Sequence, residues 1–164
     1  MIGPTDFEGL LRALLAGRVE FVLVGGLAAT VHGSARSTFV IDIVYRRTPE
    51  NLRRLVDALG PLAPYPRGAP PGLPFRFDQA TLERGLNFTL ETALGGIDLL
   101  GEITGGGRYE DLDPRSQSIK LFGYECRSVT LETLIALKRA AGRPKDIEVL
   151  AELESLAERQ RNET

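Results

Sequence analysis

The chain is nearly without cysteine and histidine, has no apolar run long enough for a membrane, and carries almost no surplus of charge of either sign. Each shortage removes a class of protein. One cysteine, Cys126, among 164 residues excludes an internal disulfide. Its strand-like surroundings mark it as a small buried apolar side chain, and a lone thiol fits a reducing compartment. A net charge of −2 and a pI near 5.5 leave no basic field to grip a nucleic-acid backbone without regard to sequence, so any such contact has to be local. Nothing approaches the roughly 20 apolar residues of a membrane-spanning helix, and Met1-Ile2-Gly3-Pro4-Thr5-Asp6 offers neither the basic start nor the apolar core of an export leader. The expected location is the cytoplasm, with no membrane partner. Internal repeats and coiled-coil heptads are missing too. What is present, 43% hydrophobic residues over this length, predicts one domain spanning 1–164 with one core.

Periodicity divides the chain into helices and strands. Thr5 and Glu8 read as a capping box for a helix with Phe7, Leu10, Leu11, Leu14 and Leu15 on one face, stopped at Gly17. Val19–Val24 is apolar almost throughout, as in a strand covered on both sides. Gly25-Gly26 turns it into a short helix of small residues through Val31, with His32 in the last turn and Gly33 as the left-handed cap. Phe39–Val44 is the next strand, and Thr48-Pro49 opens a helix facing inward with Leu52, Leu55, Val56 and Leu59.

Pro61–Pro74 is dense in proline and glycine and is expected as a surface loop near the active face, poorly suited to a ladder. Leu86–Leu90 and Ile97–Ile103 are predicted to form a hairpin about Gly95-Gly96, and Ser118–Phe122 with Tyr124–Val129 a second about Gly123. Two helices close the chain. Thr130 caps one, with Leu131, Leu134, Ile135 and Leu137 inward; Pro144 starts the other, expected to bury Ile147, Leu150 and Leu153 before a frayed polar end.

Two carboxylates stand out against their surroundings. Side chains alternate along a strand, so Asp42 shares a face with Val40 and Val44, while Phe39, Ile41 and Ile43 share the other. Asp98 lies between Ile97 and Leu99 in a similar run. A carboxylate in such a place is costly unless it is paired, hydrogen-bonded or bound to metal. Together the two suggest oxygen ligands for a hard cation such as magnesium; the plainer alternative is a strand end in water, or an arginine partner such as Arg36. Gly25-Gly26, between a strand and a helix start, would offer backbone N–H groups to phosphate, or is simply a tight turn. Lys138, Arg139, Arg143 and Lys145, with Asp146 among them, would face a triphosphate, or form a solvated helix end.

In order and spacing these segments converge on a family. Val24-Gly25-Gly26-Leu27-Ala28-Ala29, then His32-Gly33, then Arg36-Ser37-Thr38-Phe39-Val40-Ile41-Asp42 closely resemble the opening of the minimal nucleotidyltransferases, especially those grouped with the AbiEii and AbiGii toxins. Ile97-Asp98-Leu99-Leu100-Gly101, Leu137-Lys138-Arg139 and Gly142-Arg143-Pro144-Lys145-Asp146 are similar as well, so the resemblance runs from Phe21 to Leu156. It implies an α/β (α+β) fold: a mixed β-sheet flanked by helices, two of them C-terminal, with the glycine turn and metal carboxylates at one sheet edge. It also implies transfer of a nucleoside monophosphate from a nucleoside triphosphate to a hydroxyl on RNA, protein or a small molecule. Asp42 and Asp98 would be the catalytic magnesium or manganese ligands, and Gly25, Gly26, Arg36 and Lys138 would bind the nucleotide.

The match has one gap. The family's second strand carries Asp-x-Asp, and this chain has Val40-Ile41-Asp42. Valine binds no metal, so a two-cation displacement is expected to be impaired, and neither Glu102 nor Glu110 is placed by sequence to compensate. The alternative expectation is an inactive nucleotide- or protein-binding module, as one half of a toxin–antitoxin pair with a cognate antitoxin or toxin. His32 is expected to close its helix rather than move protons, and Tyr109 to pack on a loop rather than stack on a base.

Overall fold

The computed structural model describes residues 4–163, so Met1-Ile2-Gly3 of the proposed non-leader start and the terminal Thr164 lie outside the described residues. Chain order gives α1 (Phe7–Ala16), β1 (Phe21–Val24), α2 (Gly25–Val31), β2 (Val40–Tyr45), α3 (Pro49–Leu59), β3 (Tyr65–Pro66), α4 (Gln79–Arg84), β4 (Asn87–Thr92), β5 (Gly95–Leu100), α5 (Tyr109–Leu112), β6 (Ser116–Leu121), β7 (Tyr124–Val129), α6 (Leu131–Ala141) and α7 (Pro144–Asn162). The strands make one mixed seven-stranded sheet among the described residues, in the order β3-β4-β5-β2-β1-β7-β6. The parallel pairs are β1 with β7 and β2 with β5; the others are antiparallel.

The apolar run of β1 is buried at every position because β1 lies inside the sheet, between β2 and β7. Leu10, Leu11 and Leu14 of α1, Leu52, Leu55 and Leu59 of α3, and Leu131, Leu134, Ile135 and Leu137 of α6 close over it in one core. Thr48 caps α3 and Thr130 caps α6 through their side chains, as their sequence positions predict. Asn51 ties α3 to the strands below: its side chain accepts from the Glu20 amide at 2.7 Å and donates to the carbonyls of Glu20 and Arg46. Among the described residues no helix is long and apolar enough to cross a membrane.

Several local expectations are corrected by tertiary contacts. Asp6, not Thr5, caps α1, since the Thr5 hydroxyl is spent on the Phe39 carbonyl. Phe39 precedes β2 and is 74% exposed, so it does not share the inner face of Ile41 and Ile43. The tight turn of the first hairpin is Ala93-Leu94, and Gly95-Gly96 belong to β5. Ile103 is only in an isolated bridge with Gly107. Of the α7 residues expected inside, Leu153 is buried and Leu150 packs partly buried on the core, but Ile147 is 61% exposed. Asp146 and Ala157 are buried as well, and the helix continues to Asn162 where fraying was expected. The largest difference is in the Pro/Gly segment. Tyr65 and Pro66 do join the ladder, as an edge strand opposite Glu91 and Leu90, where a proline's missing N–H is tolerated.

Candidate functional site

A cleft of about 830 Å³ opens where the C-terminal end of β1 meets β2, β5 and the helices α6 and α7. Gly25, Gly26, Arg36, Asp42, Asp98 and Lys138, the six residues singled out in the sequence, all line it. Parallel pairing of β2 with β5 sets Asp42 opposite Asp98 and Val40 opposite Gly96. Strand alternation does the rest, since residues in register across a sheet point to the same face.

Gly25 closes one side. Its φ of +72° favours glycine, and a β-carbon there would lie 2.1 Å from Asp42 Oδ2. Gly26 is packed as tightly on Thr38, whose Oγ1 would be 2.7 Å from an added β-carbon. The strand-to-helix turn therefore lets the backbone approach the carboxylates more closely than any larger residue would.

The cations arrive from the C-terminal helices. Lys138 of α6 extends its Nζ to within 3.4 Å of Asp146 Oδ1, and Arg143 holds the same carboxylate through Nε at 2.6 Å and Nη2 at 3.1 Å. Asp146 is 1% exposed and also accepts from the Arg143 backbone N–H, so one buried carboxylate caps α7 and fixes two cations. Burial alone would raise its pKa; hydrogen bonds from Arg143 and the charge of Lys138 outweigh this and hold it below the usual value. Lys145 adds a further positive charge to the cleft lining. Arg36 does not reach either central aspartate: it pairs with Glu148 and donates to that residue's carbonyl, while Ser34 and the Ala35 amide are held by Glu152.

The partner of Asp98 is one that sequence reasoning missed. Arg67, directly after β3, donates from Nη2 to Asp98 Oδ1 at 2.8 Å and to the Leu90 carbonyl at 2.8 Å, with Nε 3.6 Å from Glu91. It crosses the sheet face over Gly96, where a β-carbon would sit 3.1 Å from both Arg67 Nη2 and Val40 Cγ2. A carboxylate among apolar neighbours demanded a cation, and this was legible. That it would be Arg67 rather than Arg36 was not, because nothing local announces the pairing of β3 with β4.

Asp42 is affected most. Burial, then the negative charge of Asp98 and a hydrogen bond shared with it, lift its pKa from 3.8 to about 7, against the opposing pull of Lys138 and Arg67. Folding thus takes up a proton at Asp42 between these values, and the contribution of this one group to stability is fully present below 3.8 and is lost as the pH rises through about 7. In chelator-treated buffer, Asp42→Asn should stabilise the chain at pH 8 by about 2 to 4 kcal/mol, a gain that vanishes near pH 4. Urea titrations at the two pH values check this; an equal gain at both would exclude the carboxylate charge as its source.

No protein-family model matches the chain, and no curated protein matches it in sequence. Among solved structures it is similar to a protein of Thermotoga maritima provisionally assigned as a nucleotidyltransferase, with a TM-score of 0.57 and 14% identity over 90% of this chain and 89% of that one. The fold is nucleotidyltransferase-like. The glycine turn at the end of β1 and the two carboxylates, inside β2 and β5, meet in one cleft on the central strands of the sheet and not at its edge as expected.

The side chains present fall short of a two-cation centre. Among the described residues no three histidine, cysteine, aspartate or glutamate side chains gather in a group fit for metal. Asp42 and Asp98 are neighbours, yet Asp98 already holds a guanidinium and Val40 adds no oxygen. Glu110 is engaged with Arg46 and does not line the cleft, whereas Glu102 does. His32, Tyr109 and Cys126 have other roles: His32 Nε2 is bonded to the Val129 carbonyl, and Tyr109 packs on the core beneath the Arg46 guanidinium. Cys126 is buried, which pushes its thiol pKa up to about 11 and makes it inert.

Proposed function

We propose that this cleft binds the triphosphate of a nucleoside triphosphate, and that the chain is a nucleotide-binding module on a transferase-type fold in which nucleotidyl transfer is impaired. The observation that carries this is the charge layout: Arg36, Lys138, Arg143 and Lys145 all line a cleft whose floor is the Gly25-Gly26 turn beside Asp42 and Asp98. The lining also carries Asp42, Asp98, Glu102, Asp146 and Glu148, with Glu148 paired to Arg36 and Asp146 to Lys138 and Arg143. A phosphate chain is therefore favoured locally, beside the cations and the glycine turn, and not over the whole lining. Impairment is supported by Val40 standing where the family has its first motif aspartate, and by Arg67 on Asp98.

A second reading is metal-dependent transfer of a nucleoside monophosphate to a hydroxyl, with magnesium or manganese on Asp42 and Asp98 and loss of pyrophosphate. The in-register pair of carboxylates favours it, since a cation would relieve their repulsion. The finer likeness to the AbiEii and AbiGii group is supported by the order of the glycine turn, Asp42 and Asp98. An RNA or protein acceptor and a cognate toxin or antitoxin belong to that likeness.

Equilibrium binding of a fluorescent ATP analogue, run beside transfer of label from α-labelled nucleoside triphosphates into bacterial RNA and protein, separates the two. Binding weakened roughly tenfold by Lys138→Ala, without transfer, is the expected result. Transfer by the chain as it stands, abolished by Asp98→Asn, would establish the second reading, and no binding at all would refute the first.

A further inference from the structure

The two carboxylates at the centre of the cleft are not left for a bound ion to neutralise. Arg67 already lies on one of them, Asp98, and the sequence around it is arranged to keep it there. The β3–β4 ladder sets the start of the side chain, with the Arg67 amide donating to the Thr89 carbonyl at 2.9 Å. Glycine at position 96 leaves the lane across β5 open, because a side chain there would meet the guanidinium at 3.1 Å. Glu91 lies 3.6 Å from Nε at the near end, and Nη2 at the far end donates to both the Leu90 carbonyl and Asp98 Oδ1, each at 2.8 Å. Val40 walls the other side with a methyl group, also 3.1 Å from the β-carbon position of Gly96.

We propose that the Arg67 guanidinium takes the place of a divalent cation in this cleft, so that the chain carries its own positive charge on Asp98 and is closed to magnesium and manganese. This deepens the nucleotide-binding function proposed above and rests on it for the ligand that the cleft serves.

Two physical reasons make the exclusion effective. Magnesium requires near-octahedral oxygen ligands and gives up its water reluctantly. Here it would find Asp42 and one oxygen of Asp98, and would first have to break a two-point hold on the guanidinium. It would then sit a few ångströms from a fixed positive charge, which repels a dication twice as strongly as a monocation. Val40 and Arg67 thus act in the same direction, one withholding an oxygen ligand and the other occupying Asp98. An aspartate restored at position 40 would lie beside the guanidinium lane and be neutralised by Arg67, so Val40→Asp by itself would not rebuild a metal centre.

The test uses manganese alone, without nucleotide, so that its failure is distinct from failure of nucleotide binding. Free and bound Mn²⁺ are measured by electron paramagnetic resonance on the full chain and on R67M, V40D, V40D/R67M and R67M/D98N, each checked for folding by circular dichroism. R67Q, which keeps a neutral polar group in the lane, replaces R67M if the latter does not fold. The chain and V40D are expected to bind no Mn²⁺ at millimolar concentration, R67M to bind at least roughly tenfold more tightly, V40D/R67M more tightly still, and R67M/D98N to lose the gain. Binding of Mn²⁺ by the unaltered chain that D98N removes would overturn the proposal. Tight binding by V40D alone would do so too, as would folded R67M and R67Q that bind no better than the parent.

Discussion

Gly25→Ala is expected to destabilise the chain by about 3 kcal/mol, with a fall in melting temperature of roughly 6 to 12 °C, and to abolish nucleotide binding at the same time. Two costs add at this position. A left-handed φ of +72° is unfavourable for alanine by about 1 to 2 kcal/mol. The new methyl would also sit 2.1 Å from Asp42 Oδ2 and 2.8 Å from its Cγ, so either the carboxylate or the turn must move. Gly123→Ala isolates the first cost: its φ is +82°, and nothing lies within 4 Å of the added atom. Thermal melts of the two variants should differ by the clash alone. Equal losses would mean that the approach of Gly25 to Asp42 is loose, and the glycine turn would then have no special bearing on the site.

The second large effect is expected at Asp146. Asp146→Asn should cost about 2 to 3 kcal/mol and about 5 to 10 °C near neutral pH, because a buried carboxylate with two cationic partners cannot be replaced by a neutral amide without loss. The penalty stays below that of a fully buried triad, since Arg143 is half exposed and regains water. The sign with pH is fixed by the lowered pKa. The contribution is present above the ordinary value near 4 and is lost as the pH falls through the lower folded value, so parent and variant converge in acid. Nucleotide binding should weaken as well, since Lys138 and Arg143 lose the group that aims them. Denaturant titrations from pH 3 to pH 8 measure the convergence; a constant difference would assign Asp146 a helix-capping role without the charge pairing.

Most of the frame could be read from local pattern. The apolar runs of β1 and β2, the Thr48 and Thr130 caps, the hairpin around Gly123 and the paired C-terminal helices are written within a few residues of themselves, where periodicity and capping chemistry act. The short helices α4 and α5 were not legible, being too brief for a periodic face. On α7 Leu150 and Leu153 face the core as their spacing predicts, but the covered stripe runs through Asp146, Leu150, Leu153 and Ala157 and leaves Ile147 outside it, because the neighbouring helix and not the spacing sets where the stripe stops.

At the site, the sequence by itself determined the chemistry: two aspartates in apolar strands, a glycine pair before a short helix, a group of cations near the last helix, and a valine at position 40. Tertiary structure decided how these combine. Parallel pairing puts Asp42 beside Asp98, packing of α6 and α7 buries Asp146 between two cations, and the edge strand β3 delivers Arg67 to Asp98 across Gly96. The reason is range. Helical spacing and strand alternation act over neighbours in the chain, while a charge pair between residues 67 and 98 depends on which strands lie side by side, and that is settled only when the whole sheet forms.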